Sequence, residues 1–471
     1  MKQPASEILY RPSPSPKWSL LIRALSVLFV LLASAAAQTR APNFVIIFCD
    51  DLGYGDLGCF GSKLHRTPNI DRLAEAGMRL THFYSPSSVC SAARASLMTG
   101  CYPRRVSMHQ NADGIWVLFP LAHKGLNPAE VTMAEVLKGA GYATACVGKW
   151  HLGDQLPFLP TRQGFDSYFG IPYSNDMGPE KAKIFPPIPL LRDETVVEAP
   201  VELATLTRRY TEAAIEFIEH NREKPFFLYL PHTMPHDPAA ASEAFAGKSA
   251  NGSYGDAVEE IDWSTGQIMA TLERLGLERH TLVVFTSDNG AHKKWGGSNA
   301  PLRGYKGNIW EGGMRVPCVV SWPGVVPAHV TSSGLSSTMD LLPTLAAFAN
   351  AALSENEIDG VDLGPMLRGG AGVESPRKVL YFYRKDLLRA VRVGRWKLHL
   401  AWSVLDKSIP QRLFDVVADP GESNDVAVQH PDVVARLLVH AETARRELGD
   451  RGICGKGQRP AGFMDEPGVL K

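Results

Sequence analysis

The apolar residues of this chain fall into short unbroken runs. Five stand out: Phe44-Val-Ile-Ile-Phe-Cys49, Ala143-Thr-Ala-Cys-Val147, Phe226-Phe-Leu-Tyr-Leu230, Leu282-Val-Val-Phe285 and Cys318-Val-Val-Ser-Trp322. Strand-length runs with no polar face predict parallel strands covered by helices on both sides. Helical patterns lie between them. Thr67-Pro68 opens a segment that closes on Gly77, with a cap, a first-position proline and a terminal glycine. Thr132-Met-Ala-Glu135 is a capping box. Residues 206–221 and 256–275 are longer amphipathic helices. The alternation predicts an α/β fold on a large, mostly parallel central sheet flanked by helices.

The texture changes after about residue 375. Val379-Leu-Tyr-Phe-Tyr, Arg389-Ala-Val-Arg-Val, Trp396-Lys-Leu-His-Leu and Arg412-Leu-Phe-Asp-Val follow one another without an intervening helix. They predict an antiparallel meander, with a helix over about 432–448 packed on it. The expected organisation is a large α/β domain over 38–375 and a smaller C-terminal subdomain of antiparallel sheet plus helix over 376–471.

Residues 1–37 differ from the rest. Four basic residues and one acid lead into the apolar run that begins at Ala24, and Ala35-Ala-Ala37 follows. This is the pattern of a secretory signal peptide cleaved after Ala37. The run is shorter than the roughly 20 residues of a spanning helix, so no stable membrane span is expected after cleavage. Export places the protein in the periplasm or outside the cell, or in the lysosome of a eukaryote. Lysine plus arginine equals aspartate plus glutamate, 49 against 49, which argues against nucleic acid as partner. Seven cysteines contain no C-x-x-C pair, so a zinc site is not expected.

The strand ends carry the chemistry. Ligands of open parallel sheets bind beyond the carboxyl ends of the strands. Here the first run ends in Asp50-Asp51 and the second in Gly148-Lys149-Trp150-His151. The third leads to His236, and the fourth to Ser287-Asp288-Asn289-Gly290. Each cluster alone also reads as a turn, a solvated lysine or a packed histidine. Together, Asp50, Asp51, Asp288 and Asn289 make an all-oxygen set suited to calcium or magnesium. Lys149, His151, His236 and Lys306 suit an oxyanion substrate with an alcohol leaving group.

The segment from Cys90 to Gly100, Cys-Ser-Ala-Ala-Arg-Ala-Ser-Leu-Met-Thr-Gly, resembles the sulfatase motif. Ala92 stands where proline is usual, a C-x-A-x-R variant that the family also contains. Its apolar spacing predicts a helix with Cys90 near the N-terminus, which favours negative charge. The stretches 43–56, 148–153, 287–290, 302–317 and 413–422 resemble further family motifs in family order. The likeness runs from about 42 to 430, towards the arylsulfatase A and N-acetylgalactosamine-6-sulfatase branch.

The resemblance implies that a maturase oxidises Cys90 to formylglycine. It implies a cation, calcium or alternatively magnesium, held by Asp50, Asp51, Asp288, Asn289 and the Cys90-derived side chain. It further implies that a hydrated formylglycine attacks sulfur to give a covalent sulfate intermediate. Arg94 then steadies the attacking oxygen, and Lys149 and Lys306 neutralise the sulfate. His236 protonates the departing alcohol, and His151 takes the proton that expels sulfate. The implied substrate is an aryl sulfate or a sulfated sugar or glycan. Two alternatives stay open: a phosphate or phosphonate ester hydrolase, and an inactive binder of sulfated glycans if Cys90 remains a thiol.

Overall fold

The computed structural model describes residues 40–369, 372–404 and 407–471. The expected signal peptide lies outside the described residues. Pro42–Lys471 form one compact unit. Among the described residues no helix is long and apolar enough to cross a membrane.

A ten-stranded sheet runs through this unit. Across it the strands are Val330–Ser332, Met78–Leu80, Cys318–Ser321, Thr281–Ser287, Asn43–Cys49, Phe226–Pro231, Ala143–Val147, Ser167–Gly170, Leu190–Arg192 and Thr195–Glu198. The five from Thr281–Ser287 to Ser167–Gly170 are parallel to one another. Every residue of Asn43–Cys49 and of Phe226–Pro231 is buried, as unbroken apolar runs require. Helices Pro68–Glu75, Leu206–His220 and Gly252–Arg274 supply much of the cover on one face through Ile70, Leu73, Tyr210, Ala214, Ile261 and Ile268.

One expectation is corrected. Cys318–Ser321 runs antiparallel to Thr281–Ser287 and to Met78–Leu80. A two-sided apolar run reports burial and carries no information on direction. Residues 288–317 contain only the short helix Glu311–Met314, so the chain folds straight back beside its predecessor without a crossover. The long helix also begins at Gly252, four residues before the expected start. The capping box at Thr132 forms as read, with Thr132 Oγ1 accepting from the Glu135 N–H.

Downstream, Val379–Arg384, Leu387–Val393, Trp396–His399 and Arg412–Asp415 form a four-stranded antiparallel sheet in chain order. Helix Pro431–Leu448 packs Val434, Leu437, Ala441 and Ala444 against Leu380, Phe382, Ala390 and Leu398.

The strand end at Val147 depends on one glycine. Gly148 has φ +136°, and an added Cβ would lie 1.9 Å from the Pro231 carbonyl oxygen. That contact lets Lys149 N–H donate to the same oxygen at 2.8 Å. Gly148→Ala is expected to lose at least about 2 kcal/mol of stability, because backbone strain and a backbone clash combine. Chemical denaturation checks this; an unchanged midpoint would contradict it.

Candidate active site

Helix Cys90–Thr99 is buried along its whole length, closes on Gly100 at φ +66°, and begins with Cys90 itself. Arg94 lies one turn on, so both side chains share a face. The Cys90 side chain meets the strand ends there. Lys306 Nζ is 3.4 Å from Cys90 Sγ, and ligand atoms of Asp50, Asp51, Cys90 and His236 all lie within 4.8 Å of one another. The four separately read strand ends thus converge on one place.

Like charges are packed closely. The register pairs Cys49 with Ser287, which sets Asp50 beside Asp288. All three carboxylates are at most 1% exposed. Each has a cation. Lys149 Nζ donates to Asp50 Oδ2, and Lys306 Nζ lies 2.8 Å from Asp51 Oδ1. Arg94 Nη2 reaches Asp288 Oδ2 at 3.1 Å and Asp50 Oδ1 at 3.7 Å. Burial opposes the Asp50 charge, but Lys149, His236 and Arg94 outweigh it and hold its carboxyl well below the usual range. Asp288 goes the other way: burial, then the neighbouring Asp50 charge, raises it. Burial likewise keeps the Cys90 thiol protonated.

The oxygens suit a hard cation. Asp50 Oδ1 and Asn289 Oδ1 are buried without a hydrogen-bond partner, although buried acceptors are normally satisfied. Asn289 Nδ2 donates to Asp51 Oδ1 at 2.7 Å, which fixes the amide with its oxygen available. Asp51 has φ +64° and His151 φ +63°, left-handed values that non-glycine residues hold at a cost of about 1–3 kcal/mol.

The two histidines are oriented differently. His151 Nε2–H donates to the Leu118 carbonyl at 2.9 Å, which leaves Nδ1 a buried acceptor without a partner. Burial, followed by Lys149, lowers its pKa well below the ordinary value. His236 Nδ1–H donates to the Asp237 carbonyl at 2.7 Å, and its Nε2 lies 3.8 Å from Asp51 Oδ2.

A cavity of about 450 Å³ opens over these groups; Cys90, His151, His236 and Lys306 line it. Its outer wall comes from Trp116, Ser174, Asp176, Lys181, Trp295 and Arg384. Sequence reasoning did not assign these residues. They sit in loops or on a sheet edge, where no periodicity marks an inward side chain, and tryptophans in polar loop surroundings are the one signal available.

Three cations thus gather around the carboxylates beside the Cys90 side chain. The sulfatase family model matches residues 42–351. Human arylsulfatase A is 40% identical over 458 residues, covering 87% of this chain and 89% of that protein. N-acetylgalactosamine-6-sulfatase of Rattus norvegicus is 42% identical over 399 residues, covering 81% and 75%. The PsFucS1 sulfatase from Pseudoalteromonas sp. has a TM-score of 0.76 at 27% identity, over 92% of this chain and 95% of that one. The chain belongs to the sulfatase family. It is a sulfatase enzyme, and the branch expected from its motifs is among these relatives.

The carboxylate cluster generates a pH prediction for protein stripped of divalent ions. Asp288, whose ordinary value is 3.8, holds its proton longer when folded than when unfolded. At this group the native state therefore retains a proton that the unfolded chain has lost above that pH, so its contribution to stability falls as pH rises towards about 8. Calcium or magnesium is expected to oppose the loss, by about 2.7 kcal/mol at a hundredfold excess over Kd. Melting curves with and without each ion across pH 4 to 8 check this. A melting temperature indifferent to both ions would contradict it.

Proposed function

We propose that the protein is an exported sulfatase that cleaves sulfate monoesters of aryl alcohols or sugars with a nucleophile made from Cys90. The supporting observation is the buried Cys90 side chain, in contact with Lys306 and packed among the ends of four parallel strands. Oxidation by a formylglycine-generating maturase and removal of residues 1–37 belong to this reading.

Asp50, Asp51, Asp288 and Asn289 would hold calcium or magnesium, with the Cys90-derived side chain beside them. Hydrated formylglycine would supply the oxygen that attacks sulfur, and the bound cation would supply Lewis-acid activation of that oxygen. Arg94, buried and bonded to Asp288, holds positive charge against the nucleophile's position. Its Nη1 also donates to the Lys149 carbonyl at 2.8 Å, which ties the lysine loop to the nucleophile's helix. Lys149 and Lys306 neutralise charge that builds on the sulfate oxygens. Such preset charges need no reorganisation during reaction.

The hydrogen bonds of the two histidines support the division between them. His236 Nδ1–H is held by the Asp237 carbonyl, so it is the imidazolium form that carries a proton on Nε2 and delivers it to the departing oxygen. Burial, then Lys306, lowers its pKa, which favours the neutral ring until the negative charge of a bound sulfate favours the imidazolium. His151 is held through Nε2, so its Nδ1 lone pair receives the proton that must leave before sulfate departs.

A good leaving group hardly needs the first proton, whereas a sugar alcohol does. General acid catalysis contributes about 10²–10⁴-fold. His236→Ala is therefore expected to slow sulfated sugars by roughly that range and an activated aryl sulfate far less. His151→Ala is expected to release a burst of phenol followed by slow turnover. Stopped-flow and steady-state rates on both substrate types check this. Equal losses on both, with no burst, would remove these roles from the histidines.

A further inference from the structure

A second groove, of about 230 Å³, adjoins the catalytic cavity. Gly307, Asn308 and Arg384 line both, so the two are continuous immediately after Lys306. Trp310 lies four positions after Lys306, a span of at most roughly 14 Å when extended. The outer groove is built from Trp310, Arg384, Arg389, His399, Trp402 and Arg412, so its floor is the C-terminal antiparallel sheet.

Its charge is one-sided. Among the described residues, no carboxylate lies within 4 Å of the guanidinium of Arg384, Arg389 or Arg412. Arg389 is only 7% exposed, and its Nε has no hydrogen-bond partner. Its guanidinium lies 3.5 Å from the centre of the Trp402 ring, and Arg384 lies 4.8 Å from that of Trp116. Burial, then Arg384 and Arg451, lowers the Arg389 pKa to about 10. Asp450, the nearby counter-charge, is already bonded to Arg445 and the Leu388 N–H. Glu422, beneath the groove, is engaged by Lys397 and His399. A buried cation without an anion is costly unless a ligand supplies one.

We infer that this groove binds a second anionic group of the substrate, on a sugar beyond the one whose sulfate ester occupies the catalytic cavity. The substrate is then an anionic oligosaccharide, with the second charge on Arg389 and Arg412 and the sugar in the groove that Trp310 and Trp402 line. The group is a sulfate or a carboxylate, since a guanidinium pairs bidentately with either oxyanion. This inference rests on the sulfatase reading and extends it to the substrate class.

The test uses the full chain with Cys90 oxidised, in wild type, R389Q and R412Q; R412Q is half-exposed and guards against misfolding of the buried variant. The substrates are an activated aryl sulfate and three oligosaccharides with the same target ester. Their second sugar bears a sulfate, a uronate carboxylate or no charge. Wild type should prefer one charged oligosaccharide over the neutral one, and the favoured charge identifies the group. Each variant should lower its kcat/KM relative to the aryl sulfate about tenfold, or about 1.4 kcal/mol. That lies between an exposed ion pair and a buried one. Equal use of charged and neutral oligosaccharides, or unchanged ratios in both variants, would overturn the inference.

A binding arm separates this from failure of the sulfatase reading. Calorimetry of Cys90→Ala with the same oligosaccharides should show tighter, salt-sensitive binding of the charged ones, weakened by R389Q. If wild type cleaves no sulfate ester, the sulfatase reading fails while this arm still decides on the groove. Equal affinity for charged and neutral oligosaccharides there would overturn the groove assignment.

Discussion

The structure is organised around three carboxylates that cannot avoid one another. Asp50 and Asp51 end one strand, Asp288 ends its parallel neighbour, and the register fixes them side by side in a buried pocket. Removing one partner from such a cluster strands a buried charge, at a cost of about 3–5 kcal/mol. The fold meets this constraint by bringing cations from three other segments: Arg94 from the buried helix, Lys149 from a strand end two places across the sheet from Asn43–Cys49, and Lys306 from the loop before Glu311–Met314. The same three cations surround the Cys90 side chain. Charge balance at the strand ends and preparation of an oxyanion site are therefore one arrangement.

The C-terminal sheet holds that arrangement from behind. Glu311, four residues before Arg315, is fully buried among Lys397 at 3.0 Å, Arg315 at 3.4 Å and Arg392 at 3.8 Å. Lys397 also reaches Glu422 at 3.1 Å, and the Glu311 N–H donates to Glu422. Lys397 lies on a strand of the C-terminal sheet, so this network ties that sheet to the segment carrying Lys306. Opposing cations hold the Glu311 carboxyl, against its burial, down to about 2. The sheet thus supports the inner site and floors the outer groove, with Arg384 at the junction.

Much of this was legible because the informative residues sit at ends of elements with strong patterns. An apolar run that stops on Asp50-Asp51 or Asp288-Asn289 marks both a strand and the edge where its polar groups emerge, and the segment from Cys90 marks its helix. The direction of Cys318–Ser321 was not legible, since two-sided burial is the same for either orientation. Trp116, Trp295 and Arg384 were missed for a related reason. Their inward placement depends on loop paths and on packing between sheets, which neither period two nor period 3.6 encodes. Arg389 and Arg412 lay on predicted strands, yet only the three-dimensional arrangement shows cations without carboxylates beside the cavity.

The central claim is that Cys90 supplies the atom from which a sulfate-specific nucleophile is made. Its most direct measurement is the kcat/KM of protein with Cys90 oxidised, on a matched pair of aryl sulfate and aryl phosphate, beside the Cys90→Ala variant. The oxidised protein is expected to favour the sulfate, and Cys90→Ala to abolish its hydrolysis. Preference for the phosphate, or sulfate hydrolysis that survives Cys90→Ala, would contradict it.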